Sequence, residues 1–572
     1  MNTIMIGVVI ALILYGVFVF VISAKASKAT GNSSDYLVAG RNVGAITLLA
    51  TVMLSIWSAL SFYGYGAGLY RSGIGYWIGA MGACFVGMFA PSIMYRLWLL
   101  GRQYGYHTPG DFFVHRYHSR ILKILISIIC VICIIPYISV QITGVAEGIV
   151  TTTQGKFAFW LCVAVLVVYM YVHVLGGGNK AVVGTDLFAA IVGIGIIVLT
   201  TAFFIMNVCN GSLTGAVQKI MADGNGDVLK VSGRYSHWIA SFGLSLSAGI
   251  SIIAWPHIFV RSYMAKSEDV FRLMSIAFPL LECFCFMMFM IQGLYVGRYA
   301  YPDLGREMSD EVIPMLALNY TPAVIAILLV IGVFAFGLST ADSQLVVASS
   351  IVTHDVLRKE GHQECNTKKR NAICLTAIML AVLVVTYFRP AFLVTYAYGF
   401  CAPGFAQIMP ALLGGLYWKR GTGQGALAGT ICGMAMVLFT LFVYNPAPVI
   451  DPILWGLLLN TVVYIIVSVV TVPHESALKE IVIPFQKFFA SRNSKGHKIL
   501  LLLYFLVFVQ SHIVGVYLPN DRFIFGWMPS TVFNYCLCAV ELAVLGVFYA
   551  RNRLYEPDGS KREFSTCCDK SI

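Results

Sequence analysis

Charged side chains are scarce in this chain, 11% of 572 residues against 59% hydrophobic ones. Soluble domains carry about a quarter charged residues, so a soluble fold is excluded. No polar stretch is long enough to hold a sizeable soluble domain. The phosphate-cradling pattern G-x-x-x-x-G-K-[ST] is absent, since "GGGNKAVVGT" at 176–185 lacks its spacing, and so is H-E-x-x-H. An ATP-driven pump and a membrane-embedded metalloenzyme lose their signatures. The fifteen cysteines sit mostly singly within apolar runs such as "SIICVICIIP" and "LLECFCFMMF", without zinc or disulfide spacing, and read as small core residues. Cys567 and Cys568 read as part of an unmodified polar tail.

What is present is apolar sequence in lengths that cross bilayers, roughly 20 residues at a time. Candidate spans fall at 3–23, 44–70, 74–100, 121–150, 157–175, 182–206, 237–260, 273–300, 320–353, 371–388, 391–418, 423–443, 452–472, 499–517 and 528–550. The expectation is an all-α integral membrane protein of 13 to 15 spans embedded in a lipid bilayer, with fifteen as the count. No small-residue cleavage site follows the first run, so it reads as a retained helix. With Met1 outside, 29 of the 38 Lys and Arg residues fall in or beside inner segments, as the positive-inside rule requires. Topology thus accounts for the net charge of +12, and a nucleic-acid partner gains no support.

Two spans are interrupted. "LLATVMLSIWSALSFYGYGAGLYRSG" sets Ser55, Ser58 and Ser61 before Gly64, Gly66 and Gly68, and "HWIASFGLSLSAGISIIAWPHIFVR" carries Ser245, Ser247, Gly249, Ser251 and Pro256. Five spans separate the two breaks, the sequence mark of a 5+5 inverted-repeat transporter whose unwound backbone binds solute and ions. Close packing by small residues accounts for either break taken singly. The expected organisation is a first helix and inner loop (1–43), a first repeat (44–206), an outer loop (207–235), a second repeat (236–420), additional helices (421–550) and an inner tail (551–572).

The segment "FGLSTADSQLVVASSIVTHD" at 336–355 puts Ser339, Asp342, Ser343, Ser349, Ser350 and Thr353 along one helical face. A carboxylate in hydrocarbon is costly and must face the bundle interior. Hydroxyl, carboxylate and freed carbonyl oxygens suit a hard cation, and sodium is the natural candidate. Hydroxyls that bond back to their own helix fit the same pattern.

With "STADSQLVVASSIVTHD" at 339–355, "GGGNKAVVGTD" at 176–186, "PHIFVRSYMAKS" at 256–267, "GLYRSGIGYW" at 68–77, "TPGDFFVHRY" at 108–117 and "LYWKRGTGQGALAGTICG" at 416–433, the chain resembles the sodium:solute symporter family. The resemblance implies the LeuT-type inverted repeat with additional flanking helices, and sodium-driven uptake of a small solute. It also implies a main sodium site from the carbonyls of Leu54, Trp57 and Phe336 with the hydroxyls of Ser339 and Thr340. Some members have a second cation site, here Asp186 with Ser339, Asp342 and Ser343. An intramembrane acid such as Asp186 also serves as an anchor between helices. Ala189 stands where the family often has Gln.

Sugar-carrying members have a Gln where Ser61 stands, and an Asn-Gln pair where this chain has "WPH". The likeness is therefore to the branch moving proline, pantothenate and other carboxylate-bearing metabolites, in the amino-acid, pantothenate, sialic-acid or monocarboxylate class. A sugar or polyol cargo is the alternative, followed by a passive channel and a transporter-like sensor. The absence of a mid-membrane arginine is no objection to such a cargo, because half-helix ends can hold a carboxylate by N–H groups alone. Ser58, Ser61, Trp77, Tyr137, Gln141, Trp255 and His257 are the expected solute neighbours; for the aromatics and Gln141 interhelical packing is the rival role, and His257 is equally suited to satisfying carbonyls freed near Pro256. The protein is expected to act as a monomer in a prokaryotic inner or eukaryotic plasma membrane. The sequons at Asn210 and Asn319 fall in outer loops.

Overall fold

A computed structural model describes residues 3–29, 33–357, 367–388, 397–488, 494–519 and 521–552. Cys567, Cys568 and the tail beyond residue 552 lie outside the described residues. Among the described residues the regular structure is helical apart from one hairpin, Phe523–Ile524 with Met528–Pro529, and an isolated bridge between Val43 and Ala265. We label α1 (Thr3–Ala29), α2 (Ala45–Ile56), α3 (Gly66–Ser72), α4 (Met81–Tyr104), α5 (Pro109–Tyr117), α6 (Arg120–Thr152), α7 (Phe159–Val208), α8 (Trp238–Ala248) and α9 (Pro256–Arg261). Then follow α10 (Asp269–Ala300), α11 (Ala323–Val356), α12 (Lys369–Tyr387), α13 (Ala397–Tyr417), α14 (Gly423–Phe442), α15 (Pro452–Val470), α16 (Lys495–Tyr517) and α17 (Ser530–Asn552).

Twelve described helices are long and apolar enough to cross a bilayer, and two bent pairs raise the number to fourteen. The difference from fifteen lies in α7, where the expected spans 157–175 and 182–206 form one run of 50 residues. At 1.5 Å per residue a straight helix of that length would reach about 75 Å, far more than the roughly 30 Å hydrocarbon core. It is not straight. Gly178 turns the chain with φ 55° and ψ −143°, a conformation open to glycine, and a Cβ there would also come within 2.6 Å of Tyr36. The two expected spans are the arms on either side of Gly178.

Both serine-rich spans are broken. The chain leaves α2 at Trp57, which is extended (φ −77°, ψ 121°), and the helices on either side differ in direction by 56°. Ser61 heals the gap: its hydroxyl accepts from the Ser58 N–H at 3.3 Å and donates to the Ile56 carbonyl at 3.1 Å. The second break lies between α8 and α9, with non-helical backbone at Gly249 and Trp255 and Pro256 opening α9.

Around these breaks α7 packs on α1 and α11, α6 on α11, α10 on α17, and α14 pairs with α15. α16 is tied to the second broken span by His512, whose Nε2 lies 2.6 Å from Ser245 Oγ. Ile13, Leu14 and Phe20 on α1, and Leu501, Leu502 and Phe505 on α16, are exposed as a lipid-facing surface requires.

Candidate sodium and solute sites

A helix end leaves its last carbonyls without N–H partners, and the break after α2 creates such an end deep in the bundle. The Ser58 N–H, which would have served Leu54, is bonded to Ser61 instead. The freed Leu54 carbonyl is reached by the Thr340 hydroxyl at 2.7 Å, with the Trp57 carbonyl at 3.3 Å and the Phe336 carbonyl at 3.0 Å from the same oxygen. One hydroxyl proton serves one acceptor, so four oxygens from α2 and α11 converge with more lone pairs than protons. Neutral oxygens in that number fit a hard monovalent cation. Ser339, the fifth expected ligand, adjoins this cluster in sequence but directs its hydroxyl to Asp186 Oδ1 at 2.6 Å.

Two contacts bear on the expected second cation site. First, a buried arginine is present: Arg261, at the end of α9, has its guanidinium 3.7 Å from Asp186 Oδ2 and donates to Ser343 Oγ at 2.5 Å and Asn179 Oδ1 at 3.2 Å. Asp186 also accepts from Thr51, so α2, α7, α9 and α11 meet at one carboxylate. Second, Asp342 has a partner of its own: its Oδ2 accepts from His173 Nδ1 of α7 at 2.6 Å. The periodic face read from the sequence is thus divided between two partners. Each buried carboxylate thus has a basic side chain beside it, Arg261 for Asp186 and His173 for Asp342.

Of the expected solute neighbours, Tyr137, Trp255 and His257 form an aromatic group, with Tyr137 5.2 Å from Trp255 and 6.1 Å from His257 between ring centres. Gln141, one turn beyond Tyr137 on α6, is buried with neither amide atom partnered, and Trp255 Nε1 and Ser58 Oγ are likewise unpartnered among the described residues. Trp77 packs against Tyr535 of α17 at 5.6 Å, and its Nε1 is also unpartnered among the described residues. Ser61 is occupied by the break it bridges. His257 Nε2 lies 3.3 Å from the Ser55 carbonyl, which can only accept, so this nitrogen carries the proton and Nδ1 is left bare. The carbonyl it satisfies belongs to α2, not to its own proline-opened turn.

The sodium:solute symporter family model matches residues 36–433, most of the chain and both broken spans. The chain belongs to the sodium:solute symporter family. It is 26% identical over 471 residues to a sodium/pantothenate symporter of Haemophilus influenzae, covering 79% of this chain and 95% of the relative. A sodium/pantothenate symporter of Escherichia coli is 27% identical over 486 residues, covering 80% and 95% respectively. A sodium/proline symporter of Haemophilus influenzae is 25% identical over 463 residues, covering 75% and 87%. The substrate-bound, outward-open structure of a sodium-coupled sialic acid symporter superposes with a TM-score of 0.67 at 13% identity, covering 82% of this chain and 98% of that one. The fold is thereby the LeuT-like one. The chain is a multi-pass cell-membrane protein of a family of transporters, with sodium as coupling ion and a small organic solute as cargo.

The symporter's inner end holds a further polar cluster. The Asp355 carboxylate, at the inner end of α11, accepts from Thr108 at 2.7 Å and Ser127 at 3.0 Å and pairs with Lys123 at 3.1 Å; the same ammonium lies 3.1 Å from Asp111 of α5. Burial would raise the Asp111 carboxyl, but His354, Lys123 and the N–H groups of His107 and Thr108 outweigh it and hold it below the usual carboxylate range.

Arg261, His173 and Glu282 were not singled out in the sequence. Each is a lone ionisable residue in or at the end of an apolar run, and that isolation is the signal that could have found them. Their partners could not be found so, because Arg261 and Asp186, or His173 and Asp342, are brought together only by tertiary packing.

Proposed function

We propose that the protein couples sodium entry to uptake of a small polar solute bearing a carboxylate, of the amino-acid, pantothenate, sialic-acid or monocarboxylate class. A single chain does so by alternating access. The observation that carries this reading is the convergence of the Leu54, Trp57 and Phe336 carbonyls on the Thr340 hydroxyl, within 3.3 Å, between a broken helix and an unbroken one. Sodium held there, with Ser339 alongside, bridges α2 to α11. With the bridge intact, the broken helix is fixed and the solute pocket beside Ser58 is formed. Loss of sodium to a low-sodium cytoplasm frees α2, and the solute follows.

Because linkage is reciprocal, sodium and solute raise each other's affinity by the same factor. The cargo class is supported by the pantothenate and proline specificities in the names of similar symporters and by the unpartnered donors of Gln141 and Trp255, which suit a carboxylate. Asp186, occupied by Arg261, acts here as the anchor between helices rather than as an ion ligand.

Reconstituted vesicles test the reading directly. A panel of carboxylate solutes is offered under a sodium gradient, a proton gradient and no gradient. Concentrative uptake under the sodium gradient alone is expected. Equal accumulation in choline medium overturns the proposal.

A further inference from the structure

Glu282 lies in the middle of α10, in the run "LLECFCFMMF", and none of its surface is exposed. Its Oε2 accepts from the Trp57 indole Nε1 at 2.7 Å, while Oε1 has no partner and no ion pair reaches the residue among the described residues. A buried carboxylate is tolerated when it meets a cation or several donors, and here one oxygen has neither. Its bonded partner Trp57 immediately precedes Ser58, one of the expected solute neighbours, at the first break.

We propose that Glu282 is the counter-charge for an ammonium group on the solute, so that the cargo is a zwitterion rather than a plain carboxylate anion. This rests on the transport function proposed above and sharpens it. The pocket then has two unlike ends. Gln141 Nε2 and Trp255 Nε1, both donors without partners, receive the solute's carboxylate. Glu282 Oε1 receives its ammonium group, beside the Trp57 indole whose N–H holds Oε2. A solute carrying a carboxylate alone meets an uncompensated negative charge and is repelled.

The test uses the full-length protein in vesicles and pairs of solutes that differ in the cationic nitrogen: proline with tetrahydro-2-furoate, glycine betaine with 3,3-dimethylbutyrate, and pantothenate as a larger anion. In sodium medium, the nitrogen-bearing member of at least one pair is expected to bind at least about tenfold more tightly than its partner, read as thermal stabilisation or competition. Glu282→Gln is expected to bring the two within about twofold. Sodium binding to the solute-free Glu282→Gln protein, which also certifies its fold, should stay within about twofold of wild type. Binding confined to the anions, no binding by any nitrogen-bearing solute, or a preference that survives Glu282→Gln overturns the proposal. So does an equal loss of sodium binding, which would make Glu282 a seat for sodium itself. Sodium-driven uptake restricted to anions fails only this inference, whereas sodium-independent uptake fails the transport function.

Discussion

Two neighbouring residues on α11 face opposite solutions to one problem. Thr340 stands among neutral carbonyl oxygens of a broken helix, with no cationic side chain among its bonded partners. Ser339 and Ser343, around the helix, stand beside a carboxylate whose cation, Arg261, is part of the chain. Uncharged oxygens suit a cation that must leave in every cycle, since nothing is stranded at full charge when it goes. A carboxylate in the membrane needs a cation that stays. On the function proposed above, the neutral cluster at Thr340 serves transport, the Asp186–Arg261 pair serves architecture, and Ser339 lies at the boundary between them.

The strongest way to break the comparison is Arg261→Ala. Removing one partner of a buried pair leaves Asp186 uncompensated, and a loss of about 3 to 5 kcal/mol is expected in denaturation of the purified protein. Adding Asp186→Asn should recover much of it. If the single and double variants are equally stable, Arg261 is not the cation of that region.

Next in size is Thr340→Ala. Loss of a hydroxyl bonded to a cation, about 1.5 to 3 kcal/mol, raises the sodium concentration for half-maximal uptake roughly ten- to hundredfold. Ser339→Ala moves it in the same direction. Ser349→Ala, which removes a hydroxyl bonded back to the Val346 carbonyl at 3.0 Å, should leave it within about twofold. Equal effects at the three positions would erase the distinction between ligand and filler.

The smallest effect is expected at the inner end, where Asp111→Asn should cost about 1 kcal/mol. Because the folded carboxyl titrates below its ordinary value of 3.8, its contribution is full above that value and is lost as pH falls through the lower folded one. The gap between wild type and variant should therefore close in acid, as pH falls through the folded value. A gap that persists undiminished in acid would show that the Asp111 carboxylate is not its source.

Much of the fold could be read before any coordinates, because spans and breaks are local properties: a run of apolar residues, or serines and glycines in mid-run, declares itself without reference to the rest. The Thr340 cluster was legible for the same reason, through the hydroxyl face of α11 and the family motif around it. Helical periodicity, however, places a side chain on a face without saying who stands opposite. Asp342 and Ser343 share a face with Ser339, yet His173 takes one and Arg261 the other. Glu282 was hidden by its company, since "LLECFCF" reads first as a cysteine-bearing apolar stretch, and the packing of Trp77 on a tyrosine from α17 was hidden because that helix offers no family motif.

The bond from His257 to the Ser55 carbonyl has a mechanical meaning. A loose end in one interrupted helix is stoppered by a ring from the other, so the two interruptions form one joint. Any movement that straightens the first must withdraw the imidazole from the second. The halves of the molecule are thereby linked by a contact between one helix break and the other.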